Sequence, residues 1–321
     1  MNILIRKCHG TANDFILIDE ISNKYSFTDK DRATLAKNLC DRQNSIGADG
    51  ILFLQSSTTC DAKMRIFNSD GSEAQMCGNG LRCIGRYALE LLDKTELDIE
   101  TLTAHYKVVK APSLYKDIYT VQIWLNTVNF NVDSLPMIFD KEQCLFETID
   151  ELDSNLKVTA VSMTNPHIVT FVPELDNTLI QPLGEKANNL KSVFPQGVNF
   201  NFVKEIDENS IYVRTYERGC GITKSCGTGM TASTITFCLE HPECYGKDVT
   251  VYNDGGMIKI NVTKSGDTYE NKFIGNASYV FDAEIEIDDN FALENTISKK
   301  FYDEEISVYD EFLSYTRELT K

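Results

Sequence analysis

The chain has 321 residues, a net charge of −17 and an isoelectric point near 4.7. That length accommodates two ordinary domains, each able to bury its own core, and the acidity argues against nucleic acid, whose phosphates need clustered lysine and arginine. MNILIRKCHG has no apolar signal region and no stretch approaches a membrane span, so a soluble cytoplasmic protein without a membrane partner is expected, its ten cysteines reduced rather than a disulfide framework.

Taken in order, the apolar or alternating runs NILIRK, DFILID, GILFLQ, KMRIFN, YTVQIWL, HIVTFV, NFNFV, IYVRTYE, DVTVYN, MIKINV and SYVFDAEIEI read as strands. Two segments step by three and four instead. They are Leu81, Ile84, Gly85, Ala88, Leu91 and Leu92, and Ala232, Ser233, Ile235, Thr236 and Leu239, the second stopped by His241 and Pro242. The expected fold class is α+β, with two pseudo-symmetric domains, each a β-sheet wrapped around a central helix, and the active site in the cleft between them.

The duplication is visible in the residues. CGNG at 77 to 80 matches CGTG at 226 to 229, and twelve and ten residues upstream of each cysteine stand an arginine (Arg65, Arg214) and an aromatic (Phe67, Tyr216). NDFILID at 13 to 19 echoes NPHIVTF at 165 to 171. Asn126, Asn129, Asn131, Asp133 and Pro136 suit a connector. The expected boundaries are 1–127 for the first half, completed by the strand at 276–287, 128–275 for the second, and 288–321 for a helical extension. In that extension Tyr302, Ile306, Tyr309 and Leu313 share a face that docks on the surface or on a partner subunit.

Each repeat puts a thiol at a helix start, where unpaired amides and the macrodipole favour a thiolate and bind carboxylates. Two such thiols facing one cleft suit removal of a proton from one face of a carbon and its return to the other. One must start as thiolate and the other as thiol. No lysine lies in a motif for a Schiff base, no GxGxxG follows a strand and no Walker loop occurs, so no cofactor is expected. A zinc site at Cys77 and Cys83 or Cys220 and Cys226 is disfavoured, because five residues intervene where structural zinc pairs have two to four. No metal is therefore expected. Taken singly, each cysteine would be a small buried hydrophobe, His167 a loop histidine, and Asn13, Asn68 and Asn199 turn or capping residues.

HGTANDFILID, GADGILF, RIFNSDGSEAQMCGNGLRC, TNPHIV, GVNFNFV, YERGCGITKSCGTGM and SYVFDAEIEI together resemble the successive signatures of the diaminopimelate epimerase family, in the right order from residue 1 to about 287. The resemblance implies cofactor-independent interconversion of LL- and meso-diaminopimelate, in lysine and peptidoglycan-precursor synthesis, by a homodimer. It implies Cys77 and Cys226 as the proton donor–acceptor pair. Gly78, Asn79, Gly227 and Thr228 would cradle the reacting carboxylate. Asn13, Asn68, Asn165, Asn199 and Arg218 would hold chiefly the distal carboxylate, and Glu217 with the main chain of Arg218 an ammonium. His167 would lie near one thiol and, with Glu217, tune it. Gly50, Thr164, Ser225 and Met230 depart from the family pattern. A racemase for another amino acid, such as histidine or a proline derivative, and a non-catalytic dicarboxylate-binding or redox dithiol protein are the competing readings.

Overall fold

A computed structural model describes residues 1–125 and 128–320. Asn126 of the expected connector, and residues 127 and 321 of the expected boundaries, lie outside them. The chain divides into two units, Met1–Trp124 with Ile274–Tyr315, and Leu125–Phe273 with Thr316–Lys321. No helix among the described residues is long and apolar enough to cross a membrane.

Each unit repeats one order of elements. In the first, two strands (Asn2–Gly10, Asn13–Asp19) precede a helix (Asp29–Leu39), three strands (Gly50–Gln55, Ala62–Asn68, Glu73–Ala74), a central helix (Gly78–Leu91) and three strands (Glu96–Glu100, His105–Ala111, Thr120–Trp124). In the second, strands Asp153–Ser162 and Pro166–Phe171 precede helix Asn177–Asn189 and strands Asn199–Asp207, Ser210–Glu217 and Gly221–Thr223. Central helix Gly227–Glu240 and strands Asp248–Asn253 and Gly256–Ser265 follow. The ladders correspond too. The second and third strands of each set run parallel, Phe15 opposite Gly50 and His167 opposite Asn199. The third and fourth are antiparallel, and the fourth is parallel to the strand after the central helix. Strand Ser278–Ile287 pairs antiparallel with Asn2–Gly10 and so belongs to the first sheet.

The expectation of one helix per half omits Asp29–Leu39 and Asn177–Asn189. Both are crossovers, required because the strands they join are parallel neighbours. The first buries Leu35, Ala36 and Leu39 together with Arg32, which is held by Glu20 at 2.8 and 3.0 Å. The second contains Pro182. It buries Ile180, Leu183, Gly184 and Ala187, spaced three and four apart.

The extension is not helical throughout. Leu293–Phe301 is a strand antiparallel to Ser278–Ile287, and a helix follows at Asp303–Leu319. Eight of the strand's nine residues are exposed, so it lacks the alternation of a half-buried strand. Residues around 132 to 137 are part of a core rather than a loose link, because Val132, Leu135 and Met137 are buried with Phe200 and Phe202.

Candidate functional site

Strands on several sides pack against each central helix, which is therefore buried along most of its length: eleven residues of Gly78–Leu91 and ten of Gly227–Glu240. Close approach depends on the second glycine of each repeated phrase. A Cβ on Gly80 would lie 2.9 Å from Leu52 Cδ2, and one on Gly229 would lie 2.3 Å from Asn201 Oδ1. These two glycines thus serve helix–sheet packing.

Cys77 and Cys226 are the N-caps of these helices. Both have extended backbones (φ −143°, ψ 118° and φ −114°, ψ 107°) and neither side chain caps its helix. Their carbonyls accept the first helical bonds, from Leu81 at 2.8 Å and Met230 at 2.9 Å. The first-turn amides beyond each sulfur keep the anion-binding character of a helix start.

In the first unit, Asn13 opens its strand beside the thiol. Its Oδ1 lies 3.7 Å from Cys77 Sγ and accepts from Asn79 Nδ2 at 3.2 Å, while its Nδ2 donates to Asp49 at 2.6 Å. Register places Asn68 opposite Gly50, at the sheet end where Asn13 begins; its amide donates to Ser72 Oγ at 3.0 Å. Gly50 has its own packing reason, since a Cβ there would meet the Phe67 carbonyl at 2.6 Å. The turn carrying Asn13 is strained, with φ of 54° at Thr11 and 62° at Ala12, and Arg82 braces it. This fully buried guanidinium donates to Thr11 Oγ1 at 2.8 Å and to the Asn276 carbonyl at 3.0 Å. Burial pushes it down to about 10, so it stays a cation at neutral pH, close enough to Cys77 to favour the thiolate there. The sequence reading gave Arg82 no role; a charge inside the run LRCIG was its only signal.

In the second unit, buried His167 Nε2 lies 3.0 Å from both Asn165 Oδ1 and Thr228 Oγ1, and Thr228 Oγ1 lies 3.7 Å from Cys226 Sγ. Asn199 Oδ1 accepts the Arg218 amide at 2.9 Å, and the exposed guanidinium donates to the Gln196 carbonyl at 3.1 Å. Glu217 accepts the Thr223 hydroxyl. Burial first, and then the Glu217 carboxylate, push the Cys226 thiol well above its ordinary range, although the Gly229 amide and Thr228 hydroxyl oppose them. The helix-start argument alone predicts the opposite direction for Cys226; burial outweighs it.

Two of the remaining departures share a structural partner, and the third has a backbone cost. Thr164 has φ 76°, where glycine is unstrained. Ser225 and Met230 share one neighbour, Asn253 Nδ2, at 3.2 Å from Oγ and 2.9 Å from Sδ. All ten cysteines are free, with Cys83 buried and Cys220 exposed. Among the described residues the one group of three potential metal ligands is Glu205, Glu240 and His241, and it contains no cysteine.

Two buried histidines bear on pH. Burial lowers His167 to about 3, with Arg218 adding to the effect, and burial lowers His9 to about 4. An unfolded histidine titrates near 6.5. Between that value and these folded values the unfolded chain binds protons that the folded chain does not, so stability is lost as pH falls. The expected loss from pH 7 to 5 is roughly 1.4 kcal/mol per pH unit per histidine below about 6.5. Urea midpoints across that interval check it, and His167→Gln should reduce the slope; a flat profile contradicts it.

Comparison with known proteins matches residues 5–109 and 159–280 to the family model described as "Diaminopimelate epimerase". A Clostridium acetobutylicum protein named diaminopimelate epimerase is 48% identical, over 100% of this chain and 97% of its own length. Among solved structures, a Bacillus anthracis phenazine biosynthesis protein of the PhzF family superposes with a TM-score of 0.63 at 16% identity, covering 89% of this chain and 100% of the other. A hydroxyproline epimerase from Agrobacterium vitis gives 0.61 at 12% identity, covering 90% and 93%. Such low identities show a shared fold alone.

Proposed function

We propose, because the chain belongs to the diaminopimelate epimerase family, that it is an isomerase interconverting LL- and meso-diaminopimelate by proton transfer between two cysteines without a cofactor. The observation that carries the reading is the repeated placement of a cysteine as N-cap of a buried helix, once in each unit. A thiolate removes the α-proton from one face of the carbon. The electron pair delocalises into the α-carboxylate, held by the amides of Gly78, Asn79, Gly227 and Thr228. The other thiol then delivers its proton to the opposite face, which leaves the pair with exchanged protonation, poised for the reverse conversion until protons exchange with solvent and restore the starting state.

Burial and Glu217 hold Cys226 protonated, which suits it to start as the acid, while buried Arg82 favours Cys77 as the base. Asn13, Asn68, Asn165, Asn199 and Arg218 hold the distal carboxylate, a task for which amide N–H groups and a guanidinium fork are fitted. Glu217 and the Arg218 carbonyl receive an ammonium. The same reading carries a cytoplasmic location, a homodimer and a place in supplying lysine and a peptidoglycan precursor.

Incubating the protein with LL-diaminopimelate in deuterated water tests the reaction. The expected result is deuterium at the α-carbon and accumulation of the meso isomer with nothing added. Absence of both overturns the reading.

A further inference from the structure

Strand Asn199–Asp207 carries two asparagines on one face, and the second, Asn201, is fully buried. Its Nδ2 lies 3.0 Å from the Ile168 carbonyl oxygen and 3.1 Å from His167 Nδ1, and its Oδ1 accepts the Thr215 hydroxyl at 2.9 Å. A carbonyl oxygen can only accept, so the nitrogen end of the amide is fixed toward Ile168. The second hydrogen on that nitrogen then points at His167 Nδ1, which must offer a lone pair. The ring proton is left on Nε2.

That proton meets the thiol's neighbours. Asn165 Oδ1 and Thr228 Oγ1 each lie 3.0 Å from Nε2, and Asn165 Nδ2 lies 3.3 Å from the same Thr228 oxygen. A hydroxyl oxygen surrounded by donors aims its own hydrogen elsewhere, and Cys226 Sγ stands 3.7 Å away. We infer that Asn201 is a positioning residue: it fixes the tautomer of His167, and through Asn165 and Thr228 it directs a hydroxyl hydrogen at Cys226 Sγ. Thr215 and the missing side chain of Gly229 secure Asn201 in turn, because a Cβ at Gly229 would also lie 2.8 Å from Thr215 Oγ1. The catalytic consequence rests on the reading that Cys226 transfers a proton; the tautomer does not.

The test uses the full chain with ¹⁵N-labelled histidine, His167 being identified among four histidines by its loss in His167→Gln. In the wild type, Nδ1 should resonate as an unprotonated nitrogen and Nε2 as a protonated one. In Asn201→Asp a carboxylate faces Nδ1 and should draw the proton there. Epimerisation should then lose about 10- to 100-fold in kcat, the scale of one misdirected buried hydrogen bond, with KM changed less than about twofold. Asn201→Ser, which removes the donor without adding charge, should give mixed tautomers and an intermediate kcat. A wild type protonated at Nδ1 overturns the inference, whether or not either variant folds. So does a folded variant that keeps both the wild-type tautomer and the wild-type kcat. If the wild type fails to epimerise diaminopimelate, the functional reading falls while the nitrogen signals still decide the tautomer.

Discussion

Cys77→Ala and Cys226→Ala each lower the rate of meso-diaminopimelate formation by at least about 10²- to 10⁴-fold, the contribution expected of one positioned acid or base. The two should fail alike, because inversion needs a proton taken from one face and a different proton delivered to the other. Serine at either position should fail almost as completely, since a hydroxyl preserves the shape but is far too weak an acid to exist as the anion. Cys83→Ala separates this chemistry from general thiol packing. Cys83 is fully buried and burial raises its thiol well above the ordinary range, so it is a packing residue whose loss should leave turnover within about twofold and reduce stability by roughly 1 kcal/mol. Initial rates with LL-diaminopimelate, with urea midpoints as a control for folding, decide the matter. Near wild-type epimerisation by either alanine variant removes the two-base scheme.

The parts of the fold legible in the sequence are those where side-chain period and burial coincide. GILFLQ and DVTVYN are strands over their whole length. The apolar stripe from Leu81 to Ala88 reports a helix sunk among strands, and the repeated CG phrase marks where each central helix begins. The crossover helices were less legible because the first sets charged Arg32, paired with Glu20, among its buried residues and the second carries an internal Pro182, a residue that ordinarily ends a helix. Strand Leu293–Phe301 was hidden for the opposite reason: it buries almost nothing and so carries no pattern. At the site, Asn13 and Asn79 lie beside one thiol, and Asn165, Thr228 and His167 form a connected group beside the other. Arg82 and Asn201 escaped notice because each acts from behind, through a buried hydrogen-bonded contact that a residue type alone does not announce.

Removing the aromatic anchor of the last helix should cost as much stability as removing a core ring, although the site is remote from the thiols. The sequence suggests a helix resting on a surface, with Tyr302, Ile306, Tyr309 and Leu313 along its inner face. Tyr309 of that face is buried, with its ring 4.2 Å from His9, and Phe312 beside it and Tyr115 is fully enclosed. One helical turn or two away, Glu305 grips Arg86 of the central helix with two bonds of 2.6 and 2.7 Å and accepts the Tyr279 amide at 3.0 Å. Arg86 is sandwiched over the Tyr279 and Tyr119 rings, at 3.6 and 4.3 Å. Phe312→Ala should cost about 3–5 kcal/mol, the transfer loss plus the cavity left behind. Glu305→Ala should cost a comparable amount, about 3–5 kcal/mol, because it deprives a buried guanidinium of its bidentate partner, although Glu90, 2.8 Å from Arg86 Nε, retains part of the pairing. Guanidinium unfolding of both single variants checks these values. A helix that merely decorates the surface would give shifts below about 0.5 kcal/mol for each, and that result would detach the C-terminal segment from the structure that supports Cys77.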